Sequence, residues 1–215
     1  QLLAMAVDAM FEPFTVSVML DSNGSNTTAV AAVVKIEQAL GNLKDRRVVV
    51  LAGTGPVGQR AAGLLARDGA RVLITSRKPE QGEKARQFIS ARFNVQVEAT
   101  TFADPSQLAH VLDGAEVLLN SGPAGVQMVS KAAWTAIKSL KILVDLNAVP
   151  PLGLEGVEVN DAGSLREGIP AFGAFGVGNF KTKLHKRCIG SLFERNDLVL
   201  DAEKIAEIAR HMARK

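Results

Sequence analysis

The sequence predicts a doubly wound α/β fold, a parallel sheet with helices on both faces. Three observations point there. Val48-Val49-Val50-Leu51 reads as a buried strand and runs directly into Gly53-Thr54-Gly55-Pro56-Val57-Gly58, a turn of G-x-G-x-x-G spacing with a helix-forming stretch behind it. Short β-branched runs then alternate with helical ones as far as Asp145. Strands that alternate with helices require a parallel sheet covered on both sides. The third observation is composition: 47% of the 215 residues are apolar, an ordinary globular share.

Taken in order, Gln1 to Met10 is helix-prone and Phe14 to Leu20 reads as a strand. Asp21-Ser22-Asn23-Gly24-Ser25-Asn26 is a turn cluster in which Ser25 or Asn26 is a candidate N-cap. Thr27 to Leu40 is an Ala/Val helix with Val30, Val33, Val34 and Leu40 on one face. Gly41 ends it. After the glycine turn, Gln59 to Arg67 is a helix and Arg71 to Thr75 a strand. Glu80 to Arg92 is a helix with Ala85, Phe88 and Ile89 inward, and Val95 to Thr101 a third strand of this series. Ser106 to Leu112, Glu116 to Leu119, Val129 to Ile137 and Ile142 to Val144 continue as helix, strand, helix, strand. Leu152 to Gly178 reads as glycine-rich loop. Lys181 to Phe193 is an amphipathic helix with Leu184, Ile189, Leu192 and Phe193 inward. Asp201 caps a last helix to Met212.

Charge excludes some functions. The chain carries 25 basic and 22 acidic residues, a net +3 too mild to argue for nucleic acid. Its single Cys188 excludes an internal disulfide and cysteine-paired metal sites, and suits a reducing cytoplasm. No apolar run approaches membrane-span length. His110 and His211 read as surface residues and Cys188 as a small packing residue. No Ser-His-Asp set, metal cluster or close carboxylate pair is readable.

The glycine turn assigns a ligand class. Gly53 permits the tight turn, Gly55 lets backbone approach a pyrophosphate, and Gly58 lets the following helix pack close. Thr54, Pro56 and Val57 complete the loop, and the helix N-terminus faces the phosphates. In NAD-binding chains an acidic residue at the end of the second strand bonds the ribose 2′-OH. Here that place reads Ser76-Arg77-Lys78, which suits a 2′-phosphate and so NADP. Asn120-Ser121-Gly122 and Asp145-Leu146-Asn147 end the next strands, at the rim where a nicotinamide would lie. Turn chemistry alone also explains such residues, and for Asp145 the two readings stand level. Phe172 to Lys181 suggests backbone passing a ligand, with Lys181 at a helix start, where a cation is unfavourable without a reason. His185 lies one turn on and shares that face.

Leu20-Asp21-Ser22-Asn23-Gly24-Ser25-Asn26-Thr27-Thr28-Ala29 is a far narrower string. With the glycine turn, Pro150-Pro151-Leu152-Gly153 and Lys181-Thr182-Lys183-Leu184-His185, it resembles the methylene-tetrahydromethanopterin dehydrogenases of methylotrophic bacteria, from about Phe11 to the C-terminus. The resemblance implies oxidation of N5,N10-methylene-tetrahydromethanopterin to the methenyl form with hydride passed to NADP. Some members also take NAD, and some take methylene-tetrahydrofolate. It further implies a cytoplasmic homo-oligomer, without a metal, that binds the pterin in a cleft between two lobes. Asp21, Asn23, Ser25 and Asn26 then face the cleft and Lys181 contacts pterin or cofactor. The expected division is 1–42 as remnant of an N-terminal substrate lobe, 43–178 as the Rossmann-like domain, and 179–215 as helices returning to the substrate lobe. Most of that lobe is absent from the sequence, which starts at Gln1 and reads as the remainder of a longer protein. A shikimate-dehydrogenase-like enzyme, a methylene-tetrahydrofolate enzyme and a non-catalytic NADPH sensor are the competing readings.

Overall fold

The computed structural model describes residues 2–101 and 105–214. Its elements are α1 (Leu2–Asp8), β1 (Val18–Met19), α2 (Ser25–Leu40), β2 (Arg47–Leu51), α3 (Pro56–Arg67), β3 (Arg71–Ser76), α4 (Pro79–Phe93) and β4 (Glu98–Thr101). There follow α5 (Pro105–Leu112), β5 (Val117–Asn120), α6 (Lys131–Thr135), β6 (Ile142–Asp145), β7 (Ala162–Arg166), β8 (Ile169–Phe172), α7 (Ala174–Leu192), β9 (Val199–Leu200) and α8 (Ala202–Ala213). Seven strands form one sheet in the order β4-β3-β2-β5-β6-β8-β7. Only β7 runs against its neighbour; the other pairs are parallel. The doubly wound α/β architecture is therefore present.

Strand alternation builds the two layers. Val48, Val50, Val117, Leu119, Ile142 and Val144 enter one core, shared with α2, α3, α4, α7 and α8. Val49, Leu51, Leu118 and Leu143 enter the other, with Leu108, Leu112 and Trp134 from α5 and α6. Because side chains alternate along a strand, each run of valines and leucines supplies both faces at once. The chain leaves β2 toward β3 and leaves β5 toward β6, so the crossovers diverge between β2 and β5. Such a switch point opens a crevice at the strands' C-terminal ends. Leu51 and Asn120 sit side by side there.

Several expectations need correction. The strand expected over Phe14 to Leu20 shrinks to Val18–Met19, which pairs only with Val199–Leu200; Phe14 and Val16 are exposed. Gln1, part of the expected first helix, lies outside the described residues. The expected loop 152–178 contains the β7–β8 hairpin, and α7 begins at Ala174 rather than Lys181. The glycines there serve packing. A Cβ on Gly173 or Gly176 would strike the backbone of residues 158–162, so they let α7 lie against that segment. Lys181 therefore sits two turns inside the helix. Phe88, Ile189 and Phe193, expected inward, are exposed. Neither Ser25 nor Asn26 caps α2: Gly24 occupies that position and both residues lie in the helix. Asp201 does cap α8, accepting from the Lys204 amide at 3.0 Å. His110 and His211 are exposed as expected, and Cys188 is buried, its thiol pushed up to about 11 by burial.

A cleft of about 390 Å³ lies at the far end of α2 from the glycine turn, lined by Glu37, Asp68 and Arg210 among others. Arg210 Nη2 donates to Glu37 Oε1 at 2.5 Å and to Asp68 Oδ2 at 2.6 Å. Burial, and then the adjoining Glu37 carboxylate, push Asp68 up from 3.8 to about 7. The folded chain thus holds a proton that the unfolded chain releases. That contribution to stability is complete below about pH 4 and is lost as pH rises toward about 7. The melting temperature is expected to fall across this window, and Asp68→Asn to flatten the fall. An unchanged slope in Asp68→Asn, read by calorimetry, would acquit Asp68.

Candidate active site

The β2–α3 turn is shaped by what its glycines exclude. A Cβ on Gly53 would lie 2.7 Å from Ile74 Cβ, and one on Gly58 would lie 2.6 Å from Ser121 Oγ and 2.7 Å from Gly53 Cα. Gly53 needs bare backbone because Ile74 of β3 lies against it, and Gly58 because it brings α3 against Gly53 and Ser121. Gly55 differs: nothing lies within 4 Å of its notional Cβ. Its open face is what a diphosphate requires. Pro56 opens α3 at a position where a missing N–H costs nothing, leaving the Val57 and Gly58 amides at the N-terminus. Gln59 Nε2 donates to the Thr54 carbonyl at 2.6 Å and holds the loop's crest. Ala52 enters the turn at φ 50°, a left-handed conformation that costs a non-glycine residue roughly 1–2 kcal/mol.

Thr75 was not singled out by the sequence and proves central to that strain. Its hydroxyl accepts from the Ala52 amide at 3.0 Å, and its carbonyl from the Gly53 amide at 3.0 Å. Beyond it the three basic-turn residues divide. Ser76 is buried and its hydroxyl donates to the Lys78 carbonyl at 2.8 Å. Arg77 and Lys78 are exposed, and among the described residues no ion pair holds either. Beside them a cleft of about 350 Å³ is lined by Pro79, Gly82, Thr100 and Thr101, with Glu83 and Ala99.

Across the switch point Ser121 Oγ donates to the Leu51 carbonyl at 2.9 Å, locking β5 to β2. Asn120 is fully buried. Its Nδ2 donates to Asp145 Oδ1 at 2.7 Å and its Oδ1 accepts from the Gly122 amide at 3.0 Å. Asp145 also accepts from the Asn147 and Leu154 amides, at 3.0 and 2.8 Å. Asn147 Nδ2 donates to the Pro151 carbonyl at 3.1 Å. The Asn120, Asp145 and Asn147 side chains therefore hold the rim loops. A ligand at this rim meets the loops' backbone and the Gly122 turn.

The narrow 20–29 string folds into a compact cap. Asn23 and Gly24 both take left-handed φ, 52° and 68°. The Asp21 side chain is only 5% exposed. Its Oδ1 accepts from the Asn26 and Thr27 amides at 2.9 and 3.0 Å, and its Oδ2 from Thr27 Oγ1 at 2.7 Å. His185 Nδ1 lies 3.1 Å from the same Oδ2. One turn earlier on α7, Lys181 reaches over the turn: a Cβ on Gly24 would stand 2.9 Å from Lys181 Nζ. No acceptor for that ammonium occurs among the described residues. Asp21, Lys181 and His185 thus converge, and Asn23 stands exposed beside them. Ser25 and Asn26, expected to face the cleft, are 4% and 1% exposed and point inward. Asn26 Nδ2 donates to the Leu20 carbonyl at 2.5 Å, while its Oδ1 accepts from Arg60 Nε. Arg60 escaped the sequence reading because nothing local marks it; its partner lies 34 residues away.

The residues present fit a nicotinamide dinucleotide. Gly55 and the N-terminus of α3 follow β2, Arg77 and Lys78 follow β3 with no ion pair among the described residues, and no carboxylate ends β3. Fold and site define an NAD(P)-dependent oxidoreductase of the Rossmann class. The chain belongs to the methylenetetrahydromethanopterin dehydrogenase family. It is 46% identical over 204 residues to the "Bifunctional protein MdtA" of Methylorubrum extorquens, covering 94% of this chain and 71% of that protein. It is 30% identical over 218 residues to that organism's "NAD(P)-dependent methylenetetrahydromethanopterin dehydrogenase", covering 97% of this chain and 73% of that one. No family model matches the chain. Among solved structures, a transhydrogenase from Sinorhizobium meliloti superposes with TM-score 0.57 at 16% identity, over 86% of this chain and 59% of that one. Quinate dehydrogenase from Corynebacterium glutamicum in complex with NAD gives 0.55 at 14% identity, over 87% and 62%. These two show the fold alone, and this chain spans less than two thirds of either.

Proposed function

We propose that this protein transfers a hydride from N5,N10-methylene-tetrahydromethanopterin to NADP, giving the methenyl form and NADPH. The supporting observation is its 30% identity, over 97% of the chain, to a relative named for that pterin and for NAD(P). NADP, when bound, supplies the hydride acceptor. The loop Gly53 to Gly58 holds the diphosphate, with Ser76, Arg77 and Lys78 at the 2′-phosphate. The Asn120-Ser121-Gly122 and Asn147 loops frame the nicotinamide ribose. Asp21, Asn23 and Lys181 stand on the pterin side.

The substrate carbon lies between two nitrogens, so hydride loss leaves a delocalised amidinium cation and no proton need depart. Such a reaction asks the protein for orientation and electrostatics rather than a strong base. The buried Asp21 carboxylate supplies a fixed negative charge for the developing cation, and Lys181 a donor to an anionic or carbonyl-bearing group of the pterin. The same reading places the enzyme in the cytoplasm as a homo-oligomer. The test is NADPH formation from methylene-tetrahydromethanopterin, compared with NAD as acceptor and with methylene-tetrahydrofolate as donor. Turnover with the first donor and a preference for NADP are expected. Turnover confined to the folate would reassign the carrier. NADPH binding without turnover on either donor would make the protein a sensor.

A further inference from the structure

Arg60 is a charge near the site that side-chain and backbone carbonyls hold without a carboxylate partner among the described residues. It stands in the second turn of α3, half-buried. Two of its five N–H donors are assigned: Nε to Asn26 Oδ1, and Nη1 to the Pro56 carbonyl at 2.8 Å. Burial, and then the Arg92 guanidinium, work against its charge, and Asp21 favours it. Val30 on α2 and Ala61 and Ala62 on α3 are buried in one apolar core, so packing joins the two helices beside this polar link.

We propose that Arg60 is a positioning residue that couples occupation of the dinucleotide loop to the geometry of the Asp21–Asn26 turn. Pro56 is the first residue of the helix that receives the diphosphate. A bound diphosphate brings negative charge to within about two helical turns, roughly 10 Å, of the guanidinium. That gives the ligand a differential interaction with the placement of Arg60, without which no coupling exists. From Arg60 the polar route is continuous. Asn26 accepts from Arg60 with its side-chain Oδ1 and gives its backbone N–H to Asp21, and Asp21 meets His185 on α7, one turn from Lys181. The fork of Arg60 thus ties the cofactor helix to the turn expected to face the second substrate. This inference rests on the nicotinamide-cofactor reading of the loop and not on the pterin.

Hydrogen exchange of residues 21–30, with and without NADPH, tests it in the wild type, Arg60→Met and Arg60→Lys, with NADPH affinity read by fluorescence titration. NADPH is expected to slow exchange of the Asn26 and Thr27 amides about fivefold in the wild type. Arg60→Met is expected to bind NADPH yet show no such slowing. Arg60→Lys keeps charge but loses the fork, and should lie between. Equal slowing in Arg60→Met, or none in NADPH-bound wild type, overturns the proposal. If Arg60→Met does not fold, undiminished slowing in Arg60→Lys does so. If the wild type fails to bind NADPH, the cofactor reading falls and this inference with it.

Discussion

Replacing Arg77 with alanine is expected to raise the KM for NADP about ten- to a hundredfold while moving that for NAD by less than about threefold. The range follows from a charge-assisted bond worth about 1.5–3 kcal/mol, at about 1.4 kcal/mol per tenfold. The geometry concentrates the effect on Arg77. Ser76 is buried and its hydroxyl already donates to the Lys78 carbonyl, so it shapes the turn before it can serve a ligand. Arg77 is exposed at the tip, beside the cleft lined by Gly82 and Thr101. Nothing in the described structure competes for its guanidinium. Exposure also predicts little loss of stability, so a shift in melting temperature would not accompany the change in KM. Steady-state kinetics with both acceptors check it. Equal effects on the two would remove Arg77 from the 2′-phosphate.

How much of this was legible in the sequence depends on how local the cause is. The strand–glycine turn–helix unit is a local code. Gly53 and Gly58 are required by contacts that any chain of this topology makes, and those contacts are present. The alternating strands were legible because both faces of the sheet are buried, leaving unbroken apolar runs such as Val48 to Leu51. The β7–β8 hairpin was not. Its residues Ala162 to Leu165 are exposed, so burial imposes no pattern on them. The glycines at 173 and 176 carried a signal that was misassigned. They mark a close approach, but to the chain's own residues 158–162 and not to a ligand.

The site shows the same division. Asp21, Lys181 and His185 could be named from strings, yet sequence alone could not say that Lys181 lies two turns inside a helix and folds over Gly24. Arg60, Thr75 and the inward turn of Asn26 depend on partners 23 to 34 residues away. The Asp145 ambiguity, turn chemistry or site, resolves toward framework. A buried carboxylate that accepts from Asn120 and from the Asn147 and Leu154 amides has little capacity left to offer a ligand.

Asp21→Asn is expected to lower turnover with the methylene-pterin about a hundredfold, near 2.7 kcal/mol of barrier, while leaving NADPH affinity within about threefold. Two arguments give the direction. First, the reaction as proposed builds positive charge on the substrate, and Asp21 is the carboxylate that the structure sets against His185, in the turn that Lys181 reaches over. Its charge lies 5% exposed, where a fixed negative group acts at low dielectric. Second, the carboxamide introduced by Asp21→Asn would keep an acceptor for the Asn26 and Thr27 amides but would turn an N–H toward Thr27 Oγ1 or His185 Nδ1. The ring would then exchange its tautomer, as happens when the orienting acid of a histidine is amidated. The cap itself contributes about 1 kcal/mol and mostly survives the change, so stability should drop only modestly. Asp21→Ala separates the two contributions, because it also abandons two helix amides and a buried hydroxyl. A large fall in melting temperature with turnover retained in Asp21→Asn would reduce Asp21 to a helix cap. The opposite pattern assigns its charge to the reaction.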